Sequence, residues 1–213
     1  MPERPRILVA NDDGDRAEGL AALVEVLEDL AEVWVVAPES EQSATSHAIS
    51  LTRPLRLREV RPRWYAVDGT PTDSTWLGVN HVLQARPPKL VVSGINHGPN
   101  LADDVVYSGT VAAAMEGTIL GIPSIAVSYS SRAADRIPGY SEVLTDLIGS
   151  LIRREDFPEE TFFNVNLPDI PADEMKGIRV TTLGRRVYSD SLTRREDPSG
   201  REYFWIGGGV SSW

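Results

Sequence analysis

Five short apolar runs, Ile7–Ala10, Val33–Ala37, Leu90–Ser93, Ile125–Val127 and Phe162–Val165, are separated by stretches whose apolar residues recur at helical spacing. This alternation constrains the fold more than any other feature. Runs so short and so rich in Val, Ile and Leu are buried on both faces, as parallel strands are when helices cover a sheet above and below. Between the first two runs, Leu20, Leu23, Val24, Leu27 and Leu30 predict an amphipathic helix over roughly 19–30. Strand, helix and strand then make a βαβ unit. Thr70 as cap, Pro71 at the first helical position and Asp73 three residues past the cap start a helix reaching about Gln84. Small residues predict another over Val111–Leu120, and Val143, Leu144, Leu147, Ile148, Leu151 and Ile152 a further one. Leu51, Leu55 and Leu57 alternate with polar residues ahead of Trp64–Val67, which reads as a short antiparallel excursion. Ile178–Thr182, Tyr188–Leu192 and Tyr203–Ile206 flank the turn signal Asp197-Pro198-Ser199-Gly200, and predict a β-hairpin leaving the main sheet as an oligomer contact or lid.

With 213 residues, 41% of them apolar, the chain fits one large α/β domain with room for a small appendage. No apolar run approaches the roughly 18 residues that span a bilayer, and the N-terminus lacks a signal-peptide core; the expectation is a cytoplasmic protein without a membrane partner. The absence of cysteine removes disulfides and thiolate metal sites. A net charge of −10 argues against duplex or long single-stranded nucleic acid as a partner, since that requires a basic face. A small anionic substrate would instead need local help from a metal or from backbone N–H groups. Lys89 and Lys176 are the only lysines, which disfavours lysine-dependent mechanisms.

Asn11-Asp12-Asp13-Gly14 lies directly behind the first run. In open α/β sheets ligands bind beyond the carboxyl ends of the strands. Asp12 and Asp13 after the first strand, Ser43 in the polar loop after the second, and Asn96 after the strand at 90–93 should converge there. Two carboxylates, a hydroxyl and an amide oxygen are hard donors that suit Mg²⁺ or Mn²⁺, whereas Zn²⁺ would draw on His or Cys. Ser108-Gly109-Thr110 feeds the small-residue helix, where free N–H groups and the positive dipole end suit a phosphate. Each of these residues alone also reads as an ordinary turn or cap. Their joint placement predicts metal-assisted phosphate chemistry. His47 closes the Ser43 loop and is a candidate for proton transfer or for supporting the ligands; His97 follows Asn96, and His81 falls within a predicted helix.

These segments carry a resemblance. Ile7–Gly14, Val35–Pro38 with Gln42-Ser43-Ala44, Gly69–Asp73, Val92–Asn100 and Tyr107–Gly117 are similar to the SurE family of stationary-phase survival proteins. Weaker similarity runs through Asn164–Pro168 to the Asp197–Gly200 turn and Tyr203–Ile206; Ser93–Gly117 is the most specific stretch. The resemblance implies a Rossmann-like, mostly parallel sheet with helices on both faces and a C-terminal β-hairpin arm. It places an α/β catalytic domain over 1–184 and the arm with the C-terminal segment over 185–213. It implies a metal-dependent phosphatase of nucleoside 5′- and 3′-monophosphates, in some members also of short polyphosphate, with one divalent cation per subunit and dimers or tetramers. Carried over by position, the metal ligands fall on Asp12, Asp13, Ser43 and Asn96, with Asp12 and Asp13 as the catalytic pair. The phosphate loop falls on Ser108, Gly109 and Thr110, and Asn11 and Asn100 line the same cleft.

The chain departs from that pattern in two places. The family usually has an apolar residue after the acidic turn and a Pro-Gly pair soon after, where this sequence reads Asp15-Arg16-Ala17-Glu18-Gly19; Asp15 should add charge near the metal loop. The family also continues beyond the hairpin with a further strand and an assembly tail, whereas this sequence reaches Trp213. The alternative expectation is therefore a metal- and nucleotide-binding protein with little turnover. Two rivals fit less well. An aspartyl-phosphate phosphatase built on Asp13 and Asp15 needs Thr or Val where Ala17 stands and a lysine behind a later strand. A receiver module needs an aspartate after its third strand and a lysine after its fifth, but Ile125–Val127 is followed by Ser128-Tyr129-Ser130.

Overall fold

The structure, a computed structural model, describes residues 3–131, 133, 135–188, 192–206 and 211–212. Its central strands are β1 (Arg6–Ala10), β2 (Glu32–Pro38), β3 (Leu57–Arg61), β4 (Trp64–Val67), β5 (Leu90–His97), β6 (Ser124–Tyr129) and β7 (Phe162–Leu167). They form one seven-stranded sheet in the order β3-β4-β2-β1-β5-β6-β7. Edge strand β3 pairs antiparallel with β4, and every other neighbouring pair is parallel. The helices are α1 (Glu18–Glu28), α2 (Pro71–Leu77), α3 (Gly109–Ile119) and α4 (Ser141–Ile152).

Strand alternation sorts the core into two faces. Ile7, Val9, Val33, Val35, Leu90, Val92, Ile125 and Val127 pack on one side with Leu20, Leu23 and Leu27 of α1 and Leu144 and Ile148 of α4. Leu8, Val36 and Val91 point the other way, onto Val79 and Leu83 behind α2, while Ala126 meets Val111 and Ala114 of α3. Each such side chain contributes about 1.5–3 kcal/mol by leaving water, so truncating Leu23 to Ala costs about 2–5 kcal/mol once the cavity is counted. The helix predicted from Pro71 has the expected cap: Thr70 accepts from the Asp73 N–H while the Asp73 carboxylate accepts from the Thr70 N–H. It is α-helical only to Leu77 and widens into a π-type turn over Gly78–Val82.

The C-terminal region matches the sequence reading in one part and departs from it in another. β9 (Leu192–Glu196) and β10 (Glu202–Ile206) pair antiparallel around Asp197–Gly200, and β8 (Val187–Tyr188) pairs with β11 (Ser211–Ser212). Part of the expected run Tyr188–Leu192 lies outside the described residues. Ile178–Thr182 adopts no regular structure: Ile178 and Val180 are solvent-exposed, and no strand among the described residues bonds their backbone.

The strand order reverses between β1 and β5. The chain leaves β1 through α1 toward β2 on one side, and β5 begins the march to the opposite edge through β6 and β7. Connections that diverge in this way leave a crevice at the carboxyl ends of the two strands. Asn11–Gly14 and Asn96–Asn100 border it.

Candidate active site

Asp12 is fixed first, by α3. Ser108 caps that helix, its hydroxyl accepting from the Val111 N–H at 3.1 Å. The Asp12 carboxylate accepts from both the hydroxyl and the backbone N–H of Thr110. Gly109 makes the approach possible: a Cβ there would fall 2.8 Å from the Asp12 Cβ and 3.0 Å from Pro71 Cγ. Asp12 is only 4% exposed. Burial pushes its carboxyl from 3.8 to about 6; the Thr110 hydroxyl pulls it back, and the neighbouring Asp13 charge adds to the rise.

Asp13 turns toward β5. Its carboxylate accepts from the His97 backbone N–H and feels the imidazole charge, both of which lower its pKa, but burial outweighs them and the net shift is upward. Among the described residues, Asp13 Oδ2 and Asn11 Oδ1 are buried with no hydrogen-bond partner, and so is His97 Nε2. The Asn11 amide closes the turn by donating to the Gly14 carbonyl at 2.9 Å.

Asn96 reaches this place because β5 is irregular there. Its register with β6 slips between Ser93 and Asn96. Gly94 has φ +135°, and a Cβ on it would lie 2.3 Å from the Val127 carbonyl oxygen, so no larger residue fits the bend. The Asn96 amide donates to the Gly98 carbonyl at 2.7 Å, leaving its oxygen as the acceptor end. From the other side, the Gln42 N–H donates to the Asp12 carbonyl at 2.7 Å, which brings the Ser43 loop against the acidic turn. Ser43 itself is exposed, its hydroxyl donating to Glu41 at 2.7 Å.

Of the residues singled out from the sequence, Asp12 thus lies directly on Ser108–Thr110, Asp13 on the Asn96–His97 bend, and Ser43 beside the Asp12 backbone. Asn100 lies deeper, in a braced turn. Its N–H donates to Asn166 Oδ1 at 2.9 Å, its carbonyl accepts from the Asn164 and Asn166 amides at 2.8 and 3.1 Å, and its own amide donates to Ser128 Oγ at 2.8 Å. Sequence reasoning assigned no function to Ser128, Asn164 or Asn166. Two asparagines spaced two apart on an otherwise apolar strand were the available signal, since that spacing puts both on one face. Asp15 is buried and its N–H is held by the Pro38 carbonyl at 2.8 Å. His81 is exposed in the π-type turn. His47 meets Glu116 of α3, Nε2 to Oε2 at 2.8 Å.

The donor set fits a hard divalent cation. Two carboxylates whose pKa burial raises, a buried carboxylate oxygen and an amide oxygen left unpartnered, and a nearby hydroxyl and amide make an environment that a cation would relieve. Among the described residues, no three His, Cys, Asp or Glu side chains gather into a metal-holding group, so a cation here must draw on mixed oxygen donors. A separate cavity of about 540 Å³ between α1 and α4 contains none of these residues.

The chain is similar to known proteins along most of its length. The profile of the family described as Survival protein SurE matches residues 7–190. A protein of Myxococcus xanthus described as 5′-nucleotidase SurE is 54% identical over 210 residues, covering 98% of this chain and 79% of its own length. One of the same description from Gemmatimonas aurantiaca is 52% identical over 211 residues, covering 98% of this chain and 83% of its own length. Among solved structures, the SurE protein of Aquifex aeolicus superposes with a TM-score of 0.85 at 43% identity, over 95% of this chain and 82% of that one. A match of this length in both sequence and backbone, over the segments that build the acidic crevice, means that the chain belongs to the SurE survival-protein family.

Proposed function

We propose that the chain hydrolyses nucleoside 5′- and 3′-monophosphates to nucleoside and phosphate, with short polyphosphate as a secondary substrate, and that the reaction depends on one divalent cation, Mg²⁺ or Mn²⁺. The observation that carries this reading is the shared position of Asp12: one buried carboxylate feels the charge of its acidic neighbour and is bonded to the N-terminus of α3. Relatives described as 5′-nucleotidases support the substrate class.

Asp12, Asp13, Ser43 and Asn96 would hold the cation. When bound there, the cation supplies charge stabilisation of the phosphoryl group and an activated water. The Gly109 N–H and the Ser108 turn orient the phosphate oxygens at the positive end of α3. Thr110 keeps Asp12 in place by donating to it, and Asn11 and Asn100 line the cleft that receives the nucleotide. Burial of the acidic pair excludes bulk water from the charged centre, which strengthens each of these interactions.

Self-association into a dimer or tetramer through the arm at 185–213 belongs to the same proposal, as does a cytoplasmic location. No helix among the described residues is long and apolar enough to cross a membrane.

Phosphate release from a panel of 5′- and 3′-nucleotides, with Mg²⁺, Mn²⁺ or EDTA, tests the reading. We expect turnover with either metal and none in EDTA, and a loss of about 100-fold or more in Asp13→Asn with the fold retained. Native turnover in Asp13→Asn would remove the site assignment. Tight Mn²⁺ and nucleotide binding without phosphate release would leave a binding protein instead.

A further inference from the structure

Glu116 breaks the pattern of its helix. The buried face of α3 is otherwise Val111, Ala112, Ala113, Ala114 and Gly117, yet Glu116 is 6% exposed among them. A carboxylate in that position is costly without a partner, and a small apolar residue would serve the packing better. Its partner is His47, with Nε2 to Oε2 at 2.8 Å. His47 belongs to the loop that carries Ser43.

That loop has a strained backbone. Ala44 and Ser46, which follow Ser43 closely, have φ of +59° and +56°, the left-handed region that residues with a Cβ adopt only when their surroundings impose it. The surroundings here are a series of anchors. The Ser46 N–H donates to the Tyr107 carbonyl at 3.0 Å and its hydroxyl to the Val106 carbonyl at 2.7 Å. The Thr70 hydroxyl donates to the Ala48 carbonyl at 2.6 Å, and Ser50 donates twice to Asp73, at 2.8 and 2.7 Å. His47–Glu116 sits in the middle of this series, and it is the anchor that ties the loop to the body of α3.

We propose that His47 and Glu116 are positioning residues for the metal site: the pair clamps the strained turn after Ser43 onto α3, presents Ser43 to the ion at Asp12 and Asp13, and thereby sets ion affinity rather than the turnover of the loaded protein. This rests on the assignment of Ser43 as a ligand in the proposed function. Ser43 is one residue from the Gln42–Asp12 bond and its exposed hydroxyl donates to Glu41, so its side chain must turn from Glu41 to meet the ion, and the clamp holds the backbone from which it turns. Supporting groups that orient metal ligands typically change affinity by about 10–100-fold when removed.

The test is calorimetric titration of Mn²⁺, without nucleotide, into the metal-free native protein and the variants Ser43→Ala, His47→Ala, Glu116→Ala and Glu116→Gln. Phosphate release is then measured at saturating Mn²⁺. His47→Ala and Glu116→Ala should weaken Mn²⁺ binding about 10-fold or more, in the same direction as Ser43→Ala. Once Mn²⁺ saturates, both should keep kcat within about threefold of native, and Glu116→Gln, whose amide still bonds the imidazole, should bind Mn²⁺ within about threefold of native. His47 is partly exposed, so its removal leaves no core cavity and keeps the test independent of folding. Native Mn²⁺ affinity in His47→Ala beside a weakened Ser43→Ala overturns the clamp and leaves the ligand assignment standing. Native affinity in Ser43→Ala overturns the ligand assignment, and the clamp with it. A loss of kcat at saturation with unchanged affinity also overturns the clamp.

Discussion

At Asp12 the needs of the fold and of the site oppose each other. Its carboxyl titrates near 3.8 in an unfolded chain and at about 6 in the native protein, with burial as the main cause. The folded state therefore holds its proton longer. The stability that this preference confers is fully present below pH 3.8 and is lost as pH rises through 6, a difference of about 3 kcal/mol for a shift of about two units. Removing the charge should remove the penalty. In EDTA at pH 8, Asp12→Asn is expected to melt higher than the native protein by about 5 °C or more, with the gap closing near pH 4. Mn²⁺ should reverse the order, since binding stabilises only a protein that retains its ligands. Thermal melts at the two pH values, with and without metal, check this; a metal-free variant no more stable than native at pH 8 contradicts it. Asp12 and Asp13 could be singled out from the sequence because, directly behind a buried strand, they share a sheet edge with the Ser43 and Asn96 loops; alone they read as an ordinary acidic turn. Glu116, Ser128, Asn164 and Asn166 could not be, because each acts on a residue far away in the chain and none sits in a turn signal.

Among the elements, the junction of α3 with the turn after β1 and with α2 leaves no room for a side chain at Gly109. Gly109→Ala would set a methyl group against the Asp12 Cβ and the Pro71 ring, neither of which is the free end of a flexible side chain. The N-terminus of α3 must then withdraw from the acidic turn. Nucleotide kcat/KM is expected to fall about 100-fold or more, as when a positioned donor is lost, while the far end of the sheet is untouched. Steady-state kinetics with a metal titration reads this out, and near-native kcat/KM would show that α3 is not the phosphate element. The asparagine brace at the ends of β6 and β7 predicts a milder effect. Ser128→Ala deprives the Asn100 amide of its acceptor and should raise KM for nucleotide with little change in Mn²⁺ affinity, at a stability cost of about 1–3 kcal/mol. Most strands and helices of the main sheet were readable from periodicity because short apolar runs bounded by turn residues leave little choice. Their order in the sheet was not, since a period says which residues face inward and nothing about which strand lies next. The Ser93–Asn96 irregularity was hidden for a related reason: it follows from how Gly94 meets Val127 of the neighbouring strand.

For the whole molecule, the question is what covers the arm. Successive residues of a strand point to opposite faces, yet Phe204, Trp205 and Ile206 are all exposed, along with Leu192 on the partner strand, so both faces of this hairpin are bare. A two-stranded hairpin on its own is marginal in water, and contiguous exposed apolar side chains mark an interaction surface. The proposed assembly through the arm resolves both difficulties, because a second copy would bury these side chains and lend the hairpin a core. Trp205→Glu places a charge on that surface, and an unpaired charge at the centre of an interface is strongly unfavourable. Light scattering on the native protein should give a mass corresponding to a dimer or tetramer, and Trp205→Glu should shift it toward a single chain. Mn²⁺ affinity should stay native, since Asp12, Asp13 and Ser43 belong to loops of the main sheet and Asn96 to the end of β5. A native protein that already runs as one chain, or a variant that keeps the native mass, would mean that the arm is covered by something other than a second copy.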